Sequence, residues 1–280
     1  MAEKMNIRLL AFDIDGTLMD SQKQFPEINR RALQECERRG INIALVSGRS
    51  FELMRQFAQD LGISPILCAC NGTRIEEGAD GPTLAEFTFE RADAERICRT
   101  LEDSGMYFNA YRKGKCYKGN AHVRASLGPR YAHHITGTVG DPGYEYETVS
   151  DRDRLWNEGM NGVYKFVVLG APYDPKFMEI RAQLADMNLS VSSASRRNTE
   201  FMPTGIDKGT AVRFLCERLG IERDQVMAFG DQTNDIPMLN AAGWGVAMGN
   251  AEDSVKACAR IIAPDNNSGG VGLVLQEYIL

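Results

Sequence analysis

No run of about 20 apolar residues, the length that a membrane-spanning helix needs, occurs in this sequence. A signal-peptide pattern is also lacking, because residues 1–6 lead directly into an apolar, strand-like segment without a long apolar centre or a cleavage site. These two absences predict a cytoplasmic protein that does not bind membranes.

The chain has no excess of basic residues. Its 280 residues include 32 Lys and Arg against 38 Asp and Glu, which gives a net charge of −6. Proteins that bind mainly to nucleic-acid phosphates normally carry a basic excess, so we expect no nucleic-acid partner. A hydrophobic content of 43% and a charged content of 25% are typical of a globular protein, and they leave the oligomeric state open.

Cysteine pairs of the CxxC type are lacking, although the chain has seven cysteines. The count is odd, and the closest approach is Cys68-Ala69-Cys70, whose two thiols would share one face of a strand. A zinc site or a disulfide at this pair is the less favoured interpretation. Buried thiols in a reducing compartment fit the pattern better.

What the sequence does contain is an alternation of strand and helix patterns at both ends. Apolar runs bounded by turn residues predict buried strands, and amphipathic stretches that end at glycine predict helices. Strands are expected at Ile7–Phe12, Ile41–Val46, Pro65–Ala69, Gln225–Phe229, Gly245–Met248 and Ile261–Ile262, and helices at Glu27–Arg39, Phe51–Leu61, Lys208–Leu219, Asn234–Asn240, Ala251–Ala259 and Gly272–Tyr278. The short connections imply a Rossmann-like α/β core, a parallel sheet covered on both faces.

A segment of different texture separates the two halves. Residues 84–200 hold one strong strand pattern at Val163–Leu169, a helix pattern at Ala92–Asp103 and weaker elements, which together suit an inserted α+β cap domain. Residues from about 120 to 159 are glycine-rich and weakly periodic, and no element is assigned there. The predicted organisation is therefore a core of residues 1–83 and 201–280, interrupted by a cap of residues 84–200.

Two carboxylates follow the first predicted strand. In Phe12-Asp13-Ile14-Asp15-Gly16-Thr17-Leu18, Asp13 and Asp15 stand at the C-terminal end of a buried strand, where open α/β sheets bind ligands. A solvated Asp-Gly turn is the alternative interpretation. A second acidic motif after another strand argues for a site.

This second motif, GDQTNDIPML at residues 230–239, contains Asp231 and Asp235. Asp231 or Thr233 could cap the following helix, but a cap needs one side chain and the motif supplies four acid or amide groups. Carboxylates about 4 Å apart repel by roughly 4 kcal/mol at an effective dielectric constant of ~20, so a cluster of three or four is tolerated mainly when a cation lies among them. Oxygen ligands without nearby His or Cys favour Mg²⁺ over zinc.

Two weaker signals stand at other junctions. Ser47-Gly48-Arg49 follows the second strand and offers a hydroxyl and an unhindered backbone N–H, which suits a phosphate oxygen, although Ser-Gly also ends many strands. Lys208 begins a helix after Asp207. A lone lysine there is usually solvated, and Asp207 fits the N-cap position.

Together and in this order, the four motifs resemble those of the haloacid dehalogenase-like hydrolases, and most closely the Cof-type phosphatases, whose large cap is inserted between the second and third motifs. The resemblance extends over the chain outside the insertion. It includes Cys70–Thr73, Asp207–Gly209, Gly245–Ala251, and Asn266 followed by Gly270-Val271.

The resemblance also implies a mechanism. Asp13 would attack the phosphorus of a phosphate monoester and form an aspartyl-phosphate, while Asp15 would protonate the leaving oxygen and later take a proton from the hydrolytic water. The implied ligands of Mg²⁺ are Asp13, the backbone carbonyl of Asp15 and Asp231, with Asp235 in support. The implied phosphate ligands are Ser47, the backbone amides of Ile14 and Gly48, Lys208 and Asn234.

The implied function is Mg²⁺-dependent hydrolysis of small phosphorylated metabolites, with sugar phosphates favoured by analogy to the family. Two alternatives stay open. One is a sugar phosphomutase or a dedicated disaccharide-phosphate phosphatase of the same cap class. The other is a catalytically silent regulatory or binding protein on the same fold. The acid at Asp15 indicates a chain that completes a hydrolysis, whereas the cap yields no residue-level assignment of the substrate.

Overall fold

The structure is a computed structural model, and it describes residues 4–120, 122–123, 145–148, 160–193 and 195–280. The segment without assigned elements, about 120–159, falls largely outside these residues. The chain divides into two compact units, one of Met1–Ala85 with Asp207–Leu280 and the other of Glu86–Ile206. The domain limits at residues 84 and 200 stay a prediction of the sequence.

The strands and helices follow one another in a regular order. The first part of the chain contains β1 (Leu9–Phe12), α1 (Glu27–Arg38), β2 (Asn42–Val46), α2 (Phe51–Leu61), β3 (Ile66–Ala69), β4 (Arg74–Glu77) and β5 (Thr83–Glu86). The middle part contains α3 (Arg91–Asp103), β6 (Tyr107–Arg112), β7 (Lys115–Gly119), β8 (Glu145–Thr148), β9 (Lys165–Leu169), α4 (Lys176–Gln183), β10 (Ser190–Ser192) and β11 (Asn198–Met202). The last part contains α5 (Lys208–Leu219), β12 (Val226–Gly230), α6 (Ile236–Ala241), β13 (Trp244–Ala247), α7 (Asp253–Lys256), β14 (Ile261–Ile262) and α8 (Gly270–Tyr278).

An eight-stranded sheet forms the centre of the first unit, in the order β14-β13-β12-β1-β2-β3-β4-β5. The six strands from β14 to β3 pair in parallel, and β4 is antiparallel to β3. This arrangement confirms the predicted α/β class with a parallel-sheet core. The sequence did not predict β4 or β5.

Both faces of this sheet are covered, which explains why β1 is apolar at every position. Leu10 and Phe12 pack into a cluster that includes side chains of α1, α2 and α8. Leu9 and Ala11 point the other way and pack with side chains of α5 and α6. Because successive side chains of a strand alternate between faces, a strand buried on both sides reads as a continuous hydrophobic run.

The register of the central strands brings their C-terminal ends to the same level. Phe12 of β1 pairs with Leu45 of β2 on one side and with Phe229 of β12 on the other. The loops that begin at Asp13, Ser47 and Asp231 therefore leave the sheet side by side, although they are far apart in the sequence.

The second unit has a six-stranded sheet of its own, in the order β10-β11-β9-β6-β7-β8. Side chains of α3 and α4 pack on one face of it, in a cluster that includes Phe108 and Phe166. The opposite face carries a buried ion pair, in which Lys165 Nζ lies 2.8 Å from Glu200 Oε2. The predicted helix at Ala92–Asp103 and strand at Val163–Leu169 correspond to α3 and β9, whereas β7 and β11 were not predicted.

The helix predicted at Ala251–Ala259 is wrong in length, since only Asp253–Lys256 is α-helical. The chain leaves the helix because the backbone N–H of Arg260 donates to the Gly245 carbonyl at 2.8 Å and so begins the path of β14 beside β13. Among the residues that the structure describes, no helix combines the length and the hydropathy that crossing a membrane requires.

Candidate active site

Three buried carboxylates meet where the loops after β1 and β12 lie together. One carboxylate oxygen from each of Asp13, Asp231 and Asp235 lies within 4.8 Å of the other two. Lys208, at the start of α5, completes the cluster, because its Nζ donates to Oδ1 of Asp13 and to Oδ1 of Asp235, each at 2.6 Å. Lys208 is only 2% exposed, so its ammonium group interacts with these two acids and hardly with solvent.

Lys208 reaches this position because of the way its helix begins. The Asp207 side chain accepts a hydrogen bond from the Thr210 backbone N–H at 2.7 Å and so caps α5, as expected for an N-cap. The interpretation of Lys208 as a solvated lysine is wrong. Its side chain runs inward from the first turn to the two carboxylates.

Asp235 organises the loop after β12. Its Oδ1 accepts from Lys208, and its Oδ2 accepts from the backbone N–H groups of Asp231 and Gln232, each at 2.9 Å. These contacts fold Thr233–Asp235 into a 3₁₀ turn. The helix predicted at Asn234–Asn240 therefore begins later, at Ile236, with Pro237 in its first turn, where a missing N–H costs nothing.

Burial and crowding shift the proton affinities of this cluster. The pKa of Asp13 is well above its ordinary value, because burial and the charges of Asp235, Asp231 and Asp15 together outweigh the opposing effect of Lys208. Burial, together with the charge of Asp235, raises the pKa of Asp231 to about 6. Burial alone would lower the pKa of Lys208, but the charges of Asp13 and Asp235 hold it above its ordinary value.

The loop after β1 packs closely against the side chain of Asp231. The Thr17 hydroxyl donates to Asp231 Oδ1 at 2.9 Å. Gly16 has a φ of +83°, and a Cβ atom at this position would lie 2.3 Å from Asp231 Oδ2. Only glycine fits both the left-handed backbone and this close approach.

Asp15 points to a different set of partners. Its carboxylate receives two hydrogen bonds from Arg49, from Nε to Oδ2 and from Nη2 to Oδ1, both at 2.8 Å, and Lys23 Nζ lies 2.7 Å from Oδ1. Burial opposes ionisation, but the bonds and charges of Arg49 and Lys23 outweigh it and hold the pKa of Asp15 below its ordinary value. The side chain of Asp15 thus lies outside the cluster of three carboxylates.

The other predicted residues line the same edge of the sheet. Ile14 is buried, and Ser47 is buried with its Oγ accepting from the Arg49 N–H at 3.2 Å. The loop of Ser47 and Gly48 is fastened to the end of β3, since the Asn71 N–H donates to the Ser47 carbonyl at 2.8 Å. Asn234 is half-buried, and its Oδ1 accepts no hydrogen bond from the described part of the chain. No hydrogen bond among the described residues joins Ser47 or Asn234 to Asp13.

Sequence reasoning missed three residues of this site. Arg49 was noted only as part of Ser47-Gly48-Arg49, and Lys23 and Thr17 were assigned no part. The position of Arg49, one residue beyond a predicted phosphate-binding pair, was a usable signal. Nothing local marks Lys23, whose contact with Asp15 depends on the path of the loop after β1.

The donor set of the cluster fits a hard divalent cation. Asp13, Asp231 and Asp235 offer only oxygen atoms, and among the described residues they are the group of His, Cys, Asp and Glu side chains close enough to hold a metal ion. At 4.8 Å two ionised carboxylates repel by roughly 3 kcal/mol at an effective dielectric constant of ~20. Oxygen ligands and mutual repulsion together favour Mg²⁺ over zinc.

The arrangement combines the buried carboxylate of Asp13, a second carboxylate two residues away, a buried lysine and a cluster of acids that could hold a cation. Such a set can attack an electrophilic phosphorus, neutralise the charge of its oxygens and move a proton at the leaving group. The geometry is therefore compatible with phosphoryl chemistry.

Comparison with known proteins agrees with this geometry. The family model described as haloacid dehalogenase-like hydrolase matches residues 10–275. The chain is 28% identical over 284 residues to the 5-amino-6-(5-phospho-D-ribitylamino)uracil phosphatase YcsE of Bacillus subtilis, covering 99% of this chain and 98% of that protein. It is 27% identical over 288 residues to the pyridoxal phosphate phosphatase YbhA of Escherichia coli, covering 99% and 100% of the two chains.

Solved structures share the fold over the same length. A haloacid dehalogenase-like hydrolase from Bacillus subtilis superposes with a TM-score of 0.84 at 24% identity, covering 98% of this chain and 100% of that one. At this identity the likeness shows the fold alone. The similarity to each of these three proteins extends over both compact units of the chain.

Proposed function

Since the chain belongs to the haloacid dehalogenase-like hydrolase family, we propose that it is a Mg²⁺-dependent phosphatase that hydrolyses small phosphate monoesters through an aspartyl-phosphate. Sugar phosphates are the favoured substrate class. The observation that carries this proposal is the contact of Lys208 with Asp13 inside a buried cluster of acids.

Asp13 is the proposed nucleophile. Its carboxylate forms a bond to phosphorus while the bond from phosphorus to the ester oxygen breaks, so the phosphoryl group is transferred to the protein. The Lys208 ammonium, 2.6 Å from Asp13 Oδ1, favours the ionised carboxylate but is outweighed by burial and the neighbouring acids, so the nucleophile also needs the charge of Mg²⁺. The same ammonium lies close enough to Asp13 to stabilise the incoming phosphate oxygens.

Asp15 is the proposed proton carrier. It gives a proton to the leaving oxygen in the first step and takes one from the water that hydrolyses the aspartyl-phosphate in the second. The contacts of Asp15 with Arg49 and Lys23 favour its ionised form, which is the form that the second step needs. We infer that the first step requires these contacts to loosen.

Asp13, the Asp15 backbone carbonyl and Asp231 are the proposed ligands of Mg²⁺, with Asp235 holding the Asp231 loop in support. When bound, Mg²⁺ would neutralise charge between nucleophile and phosphate and favour in-line attack. Ser47, the backbone amides of Ile14 and Gly48, and Asn234 would hold the non-bridging oxygens. In this role the Asn234 Nδ2 group would donate to a phosphate oxygen, since an amide oxygen can only accept.

The relatives support the coarser part of the substrate proposal, a small phosphorylated metabolite. Their names describe phosphatases for a phosphorylated ribitylamino uracil and for pyridoxal phosphate. Both are small phosphorylated metabolites. We propose that this chain takes substrates of the same size, among which sugar phosphates are to be tested first.

Release of inorganic phosphate tests the proposal. The wild-type protein should hydrolyse p-nitrophenyl phosphate with Mg²⁺ and lose that activity in excess EDTA. Asp13→Asn should lower kcat by more than about 10³-fold, because it removes the nucleophile. Asp224→Asn, which removes one exposed acid of the same unit, is the matched control and should behave like wild type. Absence of Mg²⁺-dependent activity, or full activity in Asp13→Asn, would refute the assignment.

A panel of sugar phosphates, nucleotides and phosphorylated cofactors then tests the substrate class by comparing kcat/KM. Sugar phosphates should lead the series. If every sugar phosphate is hydrolysed more slowly than nucleotides and phosphorylated cofactors, the sugar-phosphate part of the proposal is wrong while the phosphatase part stands.

A further inference from the structure

Side-chain amides hold the loop that follows β1 by its backbone carbonyl groups. Three asparagines from elsewhere in the chain donate Nδ2 hydrogen bonds to consecutive parts of this loop: Asn250 to the Gly16 carbonyl at 2.9 Å, Asn29 to the Leu18 carbonyl at 3.1 Å and Asn266 to the Met19 carbonyl at 2.8 Å. Backbone carbonyls in a loop otherwise bond to water, so these contacts fix a segment that would be free to move.

Two of these asparagines are joined to each other. The backbone N–H of Asn266 donates to Oδ1 of Asn250 at 3.0 Å, while both side chains donate to the loop. Asn250 follows β13 and Asn266 opens the short turn Asn266–Ser268 after β14. The result is a continuous chain of hydrogen bonds from the Met19 carbonyl, through Asn266 and Asn250, to the Gly16 carbonyl. We call it the amide bridge.

The amide bridge brackets the segment that carries Asp15. The Met19 N–H donates to the Ile14 carbonyl at 3.0 Å, so residues 14–19 close into a tight loop with Asp15 at its near end. Asn250 binds the carbonyl of the very next residue, Gly16. Moving that carbonyl would turn the adjoining peptide and with it the Asp15 carbonyl and side chain.

Asp231 restricts the same loop. Gly16 lies against Asp231, so closely that a Cβ atom would meet its carboxylate, and Thr17 donates to the same carboxylate. The amide bridge, through the Gly16 carbonyl, and Asp231, through Gly16 and Thr17, therefore hold the same short segment. Its position couples the location of Asp15 to the proposed metal ligand.

We propose that Asn250 and Asn266 are positioning residues, which act on the reaction through Asp15 and touch no reacting atom. The inference rests on the proposed function, because it assigns their effect to the proton transfer from Asp15. It also gives a role to two motifs, Gly249-Asn250-Ala251 and Asn266 with Gly270-Val271, that the resemblance named without one.

The test compares two aryl esters that differ in the help their leaving groups need. p-Nitrophenolate leaves readily without a proton, whereas the phenolate of phenyl phosphate leaves far better when an acid protonates it. kcat/KM reports on steps up to the first cleavage of the phosphorus–oxygen bond. The ratio of kcat/KM for phenyl phosphate to that for p-nitrophenyl phosphate therefore measures proton donation by Asp15.

In Asn250→Ala and Asn266→Ala this ratio should fall by about tenfold, a part of the 10²–10⁴-fold that a positioned acid supplies. Asn267→Ala is the matched control. It lies in the same turn and its Oδ1 accepts from Ser21 N–H and Oγ, beyond the bracketed segment. The ratio in this variant should equal that of wild type.

A second comparison separates positioning from mere structure. In an Asp15→Asn background there is no acid left to position, so adding Asn250→Ala should leave the ratio unchanged. Asn250 is exposed, so its alanine variant stays testable even where the buried Asn266→Ala does not fold.

The outcomes are distinguishable. A wild-type protein without Mg²⁺-dependent activity would overturn the proposed function itself. An active wild type combined with an unchanged ratio in Asn250→Ala, or with an equal loss for both esters, would overturn the inference alone. A further drop of the ratio in the Asp15→Asn background would also overturn it, since Asn250 would then act by another route.

Discussion

Gly16→Ala is a substitution of one methyl group that should damage the site through Asp231. The added Cβ would lie 2.3 Å from Oδ2 and 2.8 Å from Cγ of Asp231, whereas Cβ atoms essentially never approach another heavy atom below 3.0 Å. The carboxylate or the loop must therefore shift by at least about 0.7 Å. Oxygen ligands of Mg²⁺ need to stand near 2.0–2.1 Å, so a shift of this size disrupts coordination.

The backbone cost of the substitution can be measured separately. Alanine at a φ of +83° is strained by roughly 1–2 kcal/mol. Gly40 has nearly the same φ, +77°, but no atom lies within 4 Å of a Cβ added there. Gly40→Ala thus reproduces the strain without the collision, and it is the matched control.

The assay is a Mg²⁺ titration of p-nitrophenyl phosphate hydrolysis, with thermal unfolding measured in parallel. Gly16→Ala should lose about 10²-fold in kcat/KM, the scale expected for a misplacement near 1 Å, and should need more Mg²⁺ for half-maximal activity. Gly40→Ala should retain wild-type kinetics while losing stability. If both variants share the same Mg²⁺ dependence as wild type, the argument from Gly16 to Asp231 is refuted.

Two further predictions concern buried charges. Lys208→Met should lower the free energy of unfolding by about 3–5 kcal/mol in metal-free protein, because it leaves Asp13 and Asp235 buried without their cation; a loss below 1 kcal/mol in urea unfolding would contradict the ion-pair geometry. Lys165→Met should destabilise the protein by a similar ~3–5 kcal/mol, because Glu200 stays buried after losing its ion pair, and the double variant Lys165→Met/Glu200→Leu should regain most of that loss. Thermal unfolding checks this second pair, and a double variant no more stable than the single one would count against it.

The parts of the fold that could be predicted are those whose signal is local. A strand buried on both faces reads as an apolar run, as in β1, β2 and β12, and the chain then places a carboxylate directly after it. Once these strands are taken as parallel neighbours, the meeting of Asp13 with Asp231 follows. The two acidic motifs can thus be found in the sequence, whereas the proximity of Asp13 and Asp231 follows from the order of the strands in the sheet.

The parts that were missed depend on partners distant in the chain. β4 (Arg74–Glu77) and β11 (Asn198–Met202) are rich in polar residues, and such strands show neither an apolar run nor a clean alternation. Glu200 of β11 can be buried because Lys165 of β9 balances its charge and the Asn198 side chain donates to it. A pattern based on hydrophobicity cannot detect a polar side chain whose burial is made possible by a partner on another strand.

The same reasoning applies to Asp15. Its spacing from Asp13 is visible in the sequence, but the direction of its side chain is decided by Arg49 and Lys23 and by the path of residues 16–19. That path in turn is fixed by Asn250 and Asn266, more than 230 residues away along the chain. The presence of an acid at residue 15 can therefore be read from the local sequence, whereas the direction of its side chain depends on residues far away in the chain.

Charge balance ties these observations together. Asp15 is matched by Arg49 and Lys23. Among the described residues, the neighbouring cluster of Asp13, Asp231 and Asp235 is paired with the buried ammonium of Lys208, so with all groups ionised it carries two excess negative charges. The raised pKa values of Asp13 and Asp231 result from this excess of negative charge, because buried acids without a second cation bind a proton more readily. A divalent cation would supply the missing charge and leave Asp13 ionised. The proposed Mg²⁺ would therefore offset the excess negative charge of the cluster, which a phosphate dianion would otherwise increase.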